Sequence, residues 1–212
     1  MSNITLARKY WDKAFDYYFD GESDRAIAAG RKAMKLNPAY VRPHWIIGQA
    51  YLFRKPPDRE SAIKEFRQLV EKDPRWSAGH VALAAALARQ RRIDEAMKCY
   101  REALRLKPQM PGVRIELAHL LLKRNDYHEA IRVLGGIDSP FRTLIDAYHL
   151  LARRTEKSAH LGQADMRAAW EQLLTFDESI PANRPPIAEA RQQLEKMGPV
   201  SQVEIDFPKR ER

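Results

Sequence analysis

An alanine that returns at a nearly constant interval constrains this chain more than any other feature. Ala26, Ala62, Ala96 and Ala130 follow one another at 36, 34 and 34 residues by subtraction, and Pro38, Pro74 and Pro108 keep the same register. A fixed period of this size means that one supersecondary unit is repeated, each copy burying its apolar face against its neighbours. The clearest copy spans 77–108, SAGHVALAAALARQRRIDEAMKCYREALRLKP. Its apolar residues fall at helical spacing in two blocks, Leu83, Ala84 and Leu87, then Ala96, Tyr100, Ala103 and Leu104. Gln90-Arg91-Arg92 interrupts the pattern, and Pro108 stops the second block because proline cannot continue a helix interior. The unit is a helix–turn–helix. Ala84, Ala96 and Ala103 let its two helices approach closely, and Tyr100 fills the space beyond them.

The same markers recur upstream. Gly48, Tyr51, Ala62, Phe66 and Pro74 mark the second copy, and Ala14, Tyr17, Ala26, Ala33 and Pro38 the first, with Gly30 where a second-helix aromatic is expected. Together they resemble the tetratricopeptide repeat family, in register over residues 7–108 and more loosely to about 135. The family pattern is a small residue in the first helix, an aromatic three residues on, alanines and an aromatic in the second helix, then proline. The resemblance implies an all-α fold, an α-α superhelix (solenoid) of about five helix–turn–helix repeats plus a C-terminal capping helix. The expected organisation is four repeats over 5–135, an atypical fifth helix pair and capping helix over 138–197, and an extended tail over 198–212.

Local signals set the expected boundaries. Thr5 is the expected N-cap of a first helix reaching about Asp20, Gly21 supplies the turn, and a second helix runs from Ser23 to Leu36. The stretch RKPPDRES at 54–61 adds two residues to the second corner, with Asp58 or Ser61 as the following cap. Gly135-Gly136 ends the fourth repeat early, and Asp138-Ser139-Pro140 opens a new helix. Helices over 140–154 and 163–176 and a final polar-faced helix ending near Met197 follow. Val203-Glu204-Ile205-Asp206-Phe207 alternates, which reads as extended backbone or as a frayed terminus.

No apolar run approaches the length of a membrane span, and the N-terminal residues do not form a secretory signal. The one cysteine, Cys99, rules out an internal disulfide framework and fits a reducing compartment, so a cytoplasmic location is expected. Net charge is +9, and the excess belongs to the repeats. Between Arg75 and Lys107 eight bases face three acids, whereas from Pro140 onward eleven face eleven. An anionic partner is one reading of this bias and an ordinary solvated helical surface the other.

Catalytic constellations are missing. Glu116 and His119 sit three residues apart on one helix, a spacing used in helix-bundle metal sites, but no second pair completes a ligand set. Cys99 has no histidine partner in the pattern, and there is no glycine-rich phosphate loop. A non-enzyme without cofactor or metal is expected.

The resemblance directs attention to the first helices, which line the concave face where such proteins usually bind peptides. Positions three and four apart give Arg8, Trp11, Asp12, Phe15 and Phe19 in the first repeat and Arg42, Trp45, Ile46, Gln49 and Phe53 in the second. The third gives Ala78, Val81, Ala82, Ala85 and Arg89, and the fourth Ile115, Glu116, His119 and Lys123. Trp11 and Trp45 are either groove residues or inter-repeat core. Family members that grip acidic C-terminal tails of chaperones resemble one another in a clamp of Lys, Asn and Arg. The matching positions here are Trp11, Phe15, Ile46, Ala78 and Ala82, so that clamp is not kept. The expected function is a non-catalytic scaffold or adaptor holding a partner's peptide segment with apolar anchors and acidic flanks. The chain's own C-terminal tail is a second candidate occupant. Nucleic-acid or anionic-surface binding through the basic third repeat is the alternative.

Overall fold

The computed structural model describes residues 2–134, 142–155, 163–176 and 178–198. Two compact units divide the chain, Met1–Arg124 and Asn125–Arg212. The first holds α1 (Asn3–Phe19), α2 (Ser23–Leu36), α3 (Pro43–Phe53), α4 (Arg59–Lys72), α5 (Ser77–Arg89), α6 (Ile93–Leu106) and α7 (Pro111–Lys123). The second holds α8 (Tyr127–Leu134), α9 (Arg142–Thr155), α10 (Gln163–Leu173), a 3₁₀ turn at Pro181–Asn183 and α11 (Arg184–Met197). The fold is all-α, an α-α solenoid of consecutive helix pairs.

The periodic small residues form the spine of the first unit. Ala14, Ala26, Ala33, Ala62, Ala84, Ala96, Ala103 and Ala118 are all fully buried. Short corners fold α1 onto α2, α3 onto α4 and α5 onto α6, and α2, α4 and α6 each pack on the helix that follows. Two glycines act as sockets. A Cβ on Gly48 would lie 2.4 Å from Cε1 of fully buried Phe66, so the α4 ring occupies the space that a methyl would take on α3. A Cβ on Gly30 would lie 2.7 Å from Cγ1 of Ile47. The first repeat therefore lacks its second-helix aromatic because Ile47 of the next helix fills that place.

The helix ends follow local chemistry, with one correction. The cap of α1 is Ser2, not Thr5. Ser2 Oγ accepts a hydrogen bond from the Thr5 amide at 3.2 Å, which makes Thr5 the donor in the first turn. At the second corner Asp58 is the cap, its Oδ1 accepting from the Ser61 amide at 3.0 Å. That pairing and the neighbouring Arg54 hold the Asp58 carboxyl below its ordinary range.

Three of the corners share one backbone device. Gly21 (φ 79°), Arg91 (φ 59°) and Asn125 (φ 59°) each stand five residues before a repeat alanine, in the left-handed region. Glycine and asparagine adopt this conformation readily and arginine does not. Arg91→Gly should therefore raise stability by about 0.5–1 kcal/mol, since relief of the left-handed strain outweighs the extra chain entropy of glycine. A urea midpoint that stays put or falls would show that Arg91 earns its place through its side chain.

In the second unit α10 packs against α9 and α11. Trp170 is fully buried there, as are Ala147, Leu151, Leu173 and Ala190. Its ring lies 6.2 Å from that of His149, whose Nε2 is 2.8 Å from Glu189 Oε2, and Arg153 donates to the other oxygen at 3.0 Å. Burial pushes the Tyr148 phenol up to about 12. Gly198, at φ 67°, terminates α11. The expected stop at Gly135-Gly136, the start at Asp138-Ser139-Pro140, residues 156–162 and the alternating tail lie outside the described residues.

Candidate functional site

Four-residue spacing puts Trp11, Phe15 and Phe19 on one face of α1 and sends Trp45 and Phe53 along α3 beside it. Because α1 and α3 touch, the two sets meet. Trp11 and Phe15 contact edge to face with centroids 5.2 Å apart, and Phe15 stacks on Trp45 at 6.0 Å with 17° between planes. Phe15 also touches Phe19 at 5.4 Å. Two aromatics that sequence reasoning missed complete the chain of rings. Tyr40 lies 5.9 Å from Trp11, and Tyr18 links Phe19 at 5.4 Å to Phe53 at 5.5 Å. Tyr40 sits in the loop before α3, outside any helical face, and helix spacing alone does not find it.

The tryptophans combine packing with exposure. Trp11, Phe15 and Trp45 are half-buried, so each packs on neighbours and still reaches the surface. Phe19 and Phe53 are 74% and 62% exposed, an arrangement that a core does not produce. The strip also has unlike ends. Arg8 and Arg42 are exposed near Tyr40, and Arg42 stands over the Trp76 ring at 5.7 Å. Burial raises the Tyr40 phenol, Arg42 and Arg8 oppose that rise and Asp12 adds to it, so all three charges bear on one hydroxyl.

The remaining candidate positions lie apart from these ring contacts. On α5, Ala78, Val81 and Ala85 are half-buried and small, and Arg89 is exposed. Gln49 and His119 are half-buried, and Glu116 and Lys123 exposed. Arg89 and Glu116 both act on the buried Tyr100 phenol, which burial, the largest cause, pushes well up, with Glu116 adding and Arg89 opposing. Three positions offered for the groove are core instead. Ile46 is 0% exposed, Ile115 4% and Ala82 8%, because a one-residue step turns a side chain about a hundred degrees, off the open face.

A polar cluster inside the first unit gave no sequence signal. His44 is 3% exposed, with Nδ1 2.7 Å from Glu65 Oε2 and Nε2 3.1 Å from Lys72 Nζ. The ammonium can only donate, so Nε2 accepts and Nδ1–H donates to the carboxylate. Buried polar groups need such partners, and this chain of three ties the start of α3 to α4.

The three acids of the basic third repeat are each paired, two with bases of the same repeat and two with bases of its neighbours. Glu95 binds Arg92 at 2.6 Å and Arg67 at 2.8 Å, Glu102 holds Arg105 at 2.7 Å, and Asp94 holds Arg124 at 2.7 Å. Burial, with Glu95 adding, raises the Cys99 thiol, the opposite of what a nucleophile needs. Among the described residues no group of three or more His, Cys, Asp or Glu could hold a metal ion, and no helix is long and apolar enough to cross a membrane.

Two family models, each described as a tetratricopeptide repeat, match residues 58–111 and 87–154. The chain carries tetratricopeptide repeats. Solved tetratricopeptide structures share its fold at low identity. A crystal structure of MamA protein is 18% identical with a TM-score of 0.66, covering 92% of this chain and 97% of its own. The first tetratricopeptide domain of Spaghetti (RPAP3), solved bound to the HSP90 peptide SRMEEVD, is 20% identical with a TM-score of 0.54, covering 57% and 95%. The tetratricopeptide domain of Arabidopsis OM64 is also 20% identical, with a TM-score of 0.52, covering 56% and 96%.

Proposed function

We propose that this chain is a non-catalytic scaffold that binds a segment of a partner protein along the aromatic strip of α1 and α3. The unbroken run of ring contacts from Tyr40 to Phe53, ending in two largely exposed phenylalanines, carries this reading. Contiguous exposed apolar surface marks interaction sites, and aromatic side chains dominate binding hot spots. Charge gives the partner's character. The first unit has 25 Lys and Arg against 14 Asp and Glu, so apolar anchors with acidic flanks suit it. The Spaghetti domain, solved with a peptide containing two glutamates and an aspartate, is a precedent for this fold holding an acidic segment. The mode here is different, because Trp11, Phe15, Ile46, Ala78 and Ala82 offer no side-chain charge for a carboxylate.

Trp45→Ala tests the strip. It should weaken partner capture by about 2 kcal/mol or more while the helical circular dichroism is kept. Loss of the fold with no separate effect on capture would make Trp45 a core residue and remove the anchor of this reading.

A further inference from the structure

The strip is polar along its length, and that polarity has a consequence for what it binds. At one end Arg8 on α1 and Arg42, the residue before Pro43 of α3, flank Tyr40 and Trp11. Neither arginine makes an ion pair within 4 Å among the described residues; Arg42 instead covers the Trp76 ring. Asp12, also exposed, bears on the same phenol with the opposite sign. At the other end Phe19, Tyr18 and Phe53 form an exposed apolar knot. Phe19 lies eleven residues after Arg8 on one helix. At 1.5 Å per residue the two ends are about 16 Å apart, a distance spanned by about five residues of extended chain.

Resting on the strip as the binding surface, we propose that the Arg8–Arg42 end is an acceptor site for acidic side chains of the partner segment. The segment then lies along the α1–α3 seam in one direction, with its acid at the start of the two helices and a bulky apolar residue about five positions away against Phe19 and Phe53. Tyr40, whose ring packs on Trp11 at this end, adds a hydroxyl that can donate to a carboxylate oxygen.

The experiment titrates the full chain into a fluorescein-labelled decapeptide carrying two aspartates and, five residues on, a Leu-Phe pair. A counterpart has lysines for the aspartates, and a third peptide has the spacer doubled. The acidic probe should bind at least ten-fold more tightly than the lysine probe, and doubling the spacer should cost several-fold. Arg8→Glu together with Arg42→Glu should reverse the order of the two probes. Asp12→Asn, on an exposed position, should widen the preference several-fold, and high salt should narrow it. Equal binding of both probes, a preference that survives the double reversal, or no binding by any probe overturns the proposal. Equal binding that is still weakened by Trp45→Ala leaves the strip standing and removes only the acidic end. Binding indifferent to Trp45→Ala removes the strip itself.

Discussion

Phe66→Ala should destabilise the first unit by about 3–5 kcal/mol, the cost of emptying a large, fully buried aromatic site. The surrounding structure has little freedom to collapse, because the ring stands against the Gly48 backbone on one side and helix packing fixes the other. Gly48→Ala alone should cost about 1–3 kcal/mol, since a methyl 2.4 Å from Cε1 forces the ring to move. Combined, the two changes should fall well short of their sum, because the new methyl enters the space the ring has left. Urea unfolding of the four proteins reads this directly. Strict additivity would mean that the ring and the glycine do not share one space.

Trp170→Ala should cost a similar amount, about 3–5 kcal/mol, in the second unit, where the indole is fully buried between α9 and its neighbours. Trp170→Phe should be far milder. The indole Nε1–H is buried with no hydrogen-bond partner among the described residues, a condition that costs about 1–3 kcal/mol, and phenylalanine removes that donor along with some apolar area. Amide exchange in α9, α10 and α11 gives the readout. Should Trp170→Phe prove as damaging as Trp170→Ala, the nitrogen has a partner, such as an ordered water, that the protein needs.

Much of this fold was legible because its signals are covalently local and periodic. The bounds of α2 agree with the expectation from Ser23 to Leu36, since Pro38 ends what Gly21 allows to begin. The alanines mark helix crossings because only a small side chain fits there. Elsewhere the determining contact is far away in sequence. Gly30 is explained by Ile47 on another helix, and His44 by Glu65 and Lys72, so neither can be read from its own neighbourhood. For the candidate site, spacing found Trp11, Phe15, Phe19, Trp45 and Phe53. It missed Tyr18 and Tyr40, which join the strip from a flanking position and from a loop. It also set Ile46, Ala82 and Ile115 on the open face, because an error of one residue in helix phase carries a side chain from groove to core.

The two glycine sockets face different partners. Gly48 receives a ring from its own repeat, whereas Gly30 receives an isoleucine from the next one. Repeats one and two are thus keyed pieces rather than interchangeable bricks. A shuffled chain that duplicated the second repeat ahead of itself would present Phe66 where Gly30 now opens, and Ile47 would meet a ring instead of a gap. The joint between repeats one and two is therefore specific in shape, and an engineered extension at this point of the array has to match the socket as well as the period.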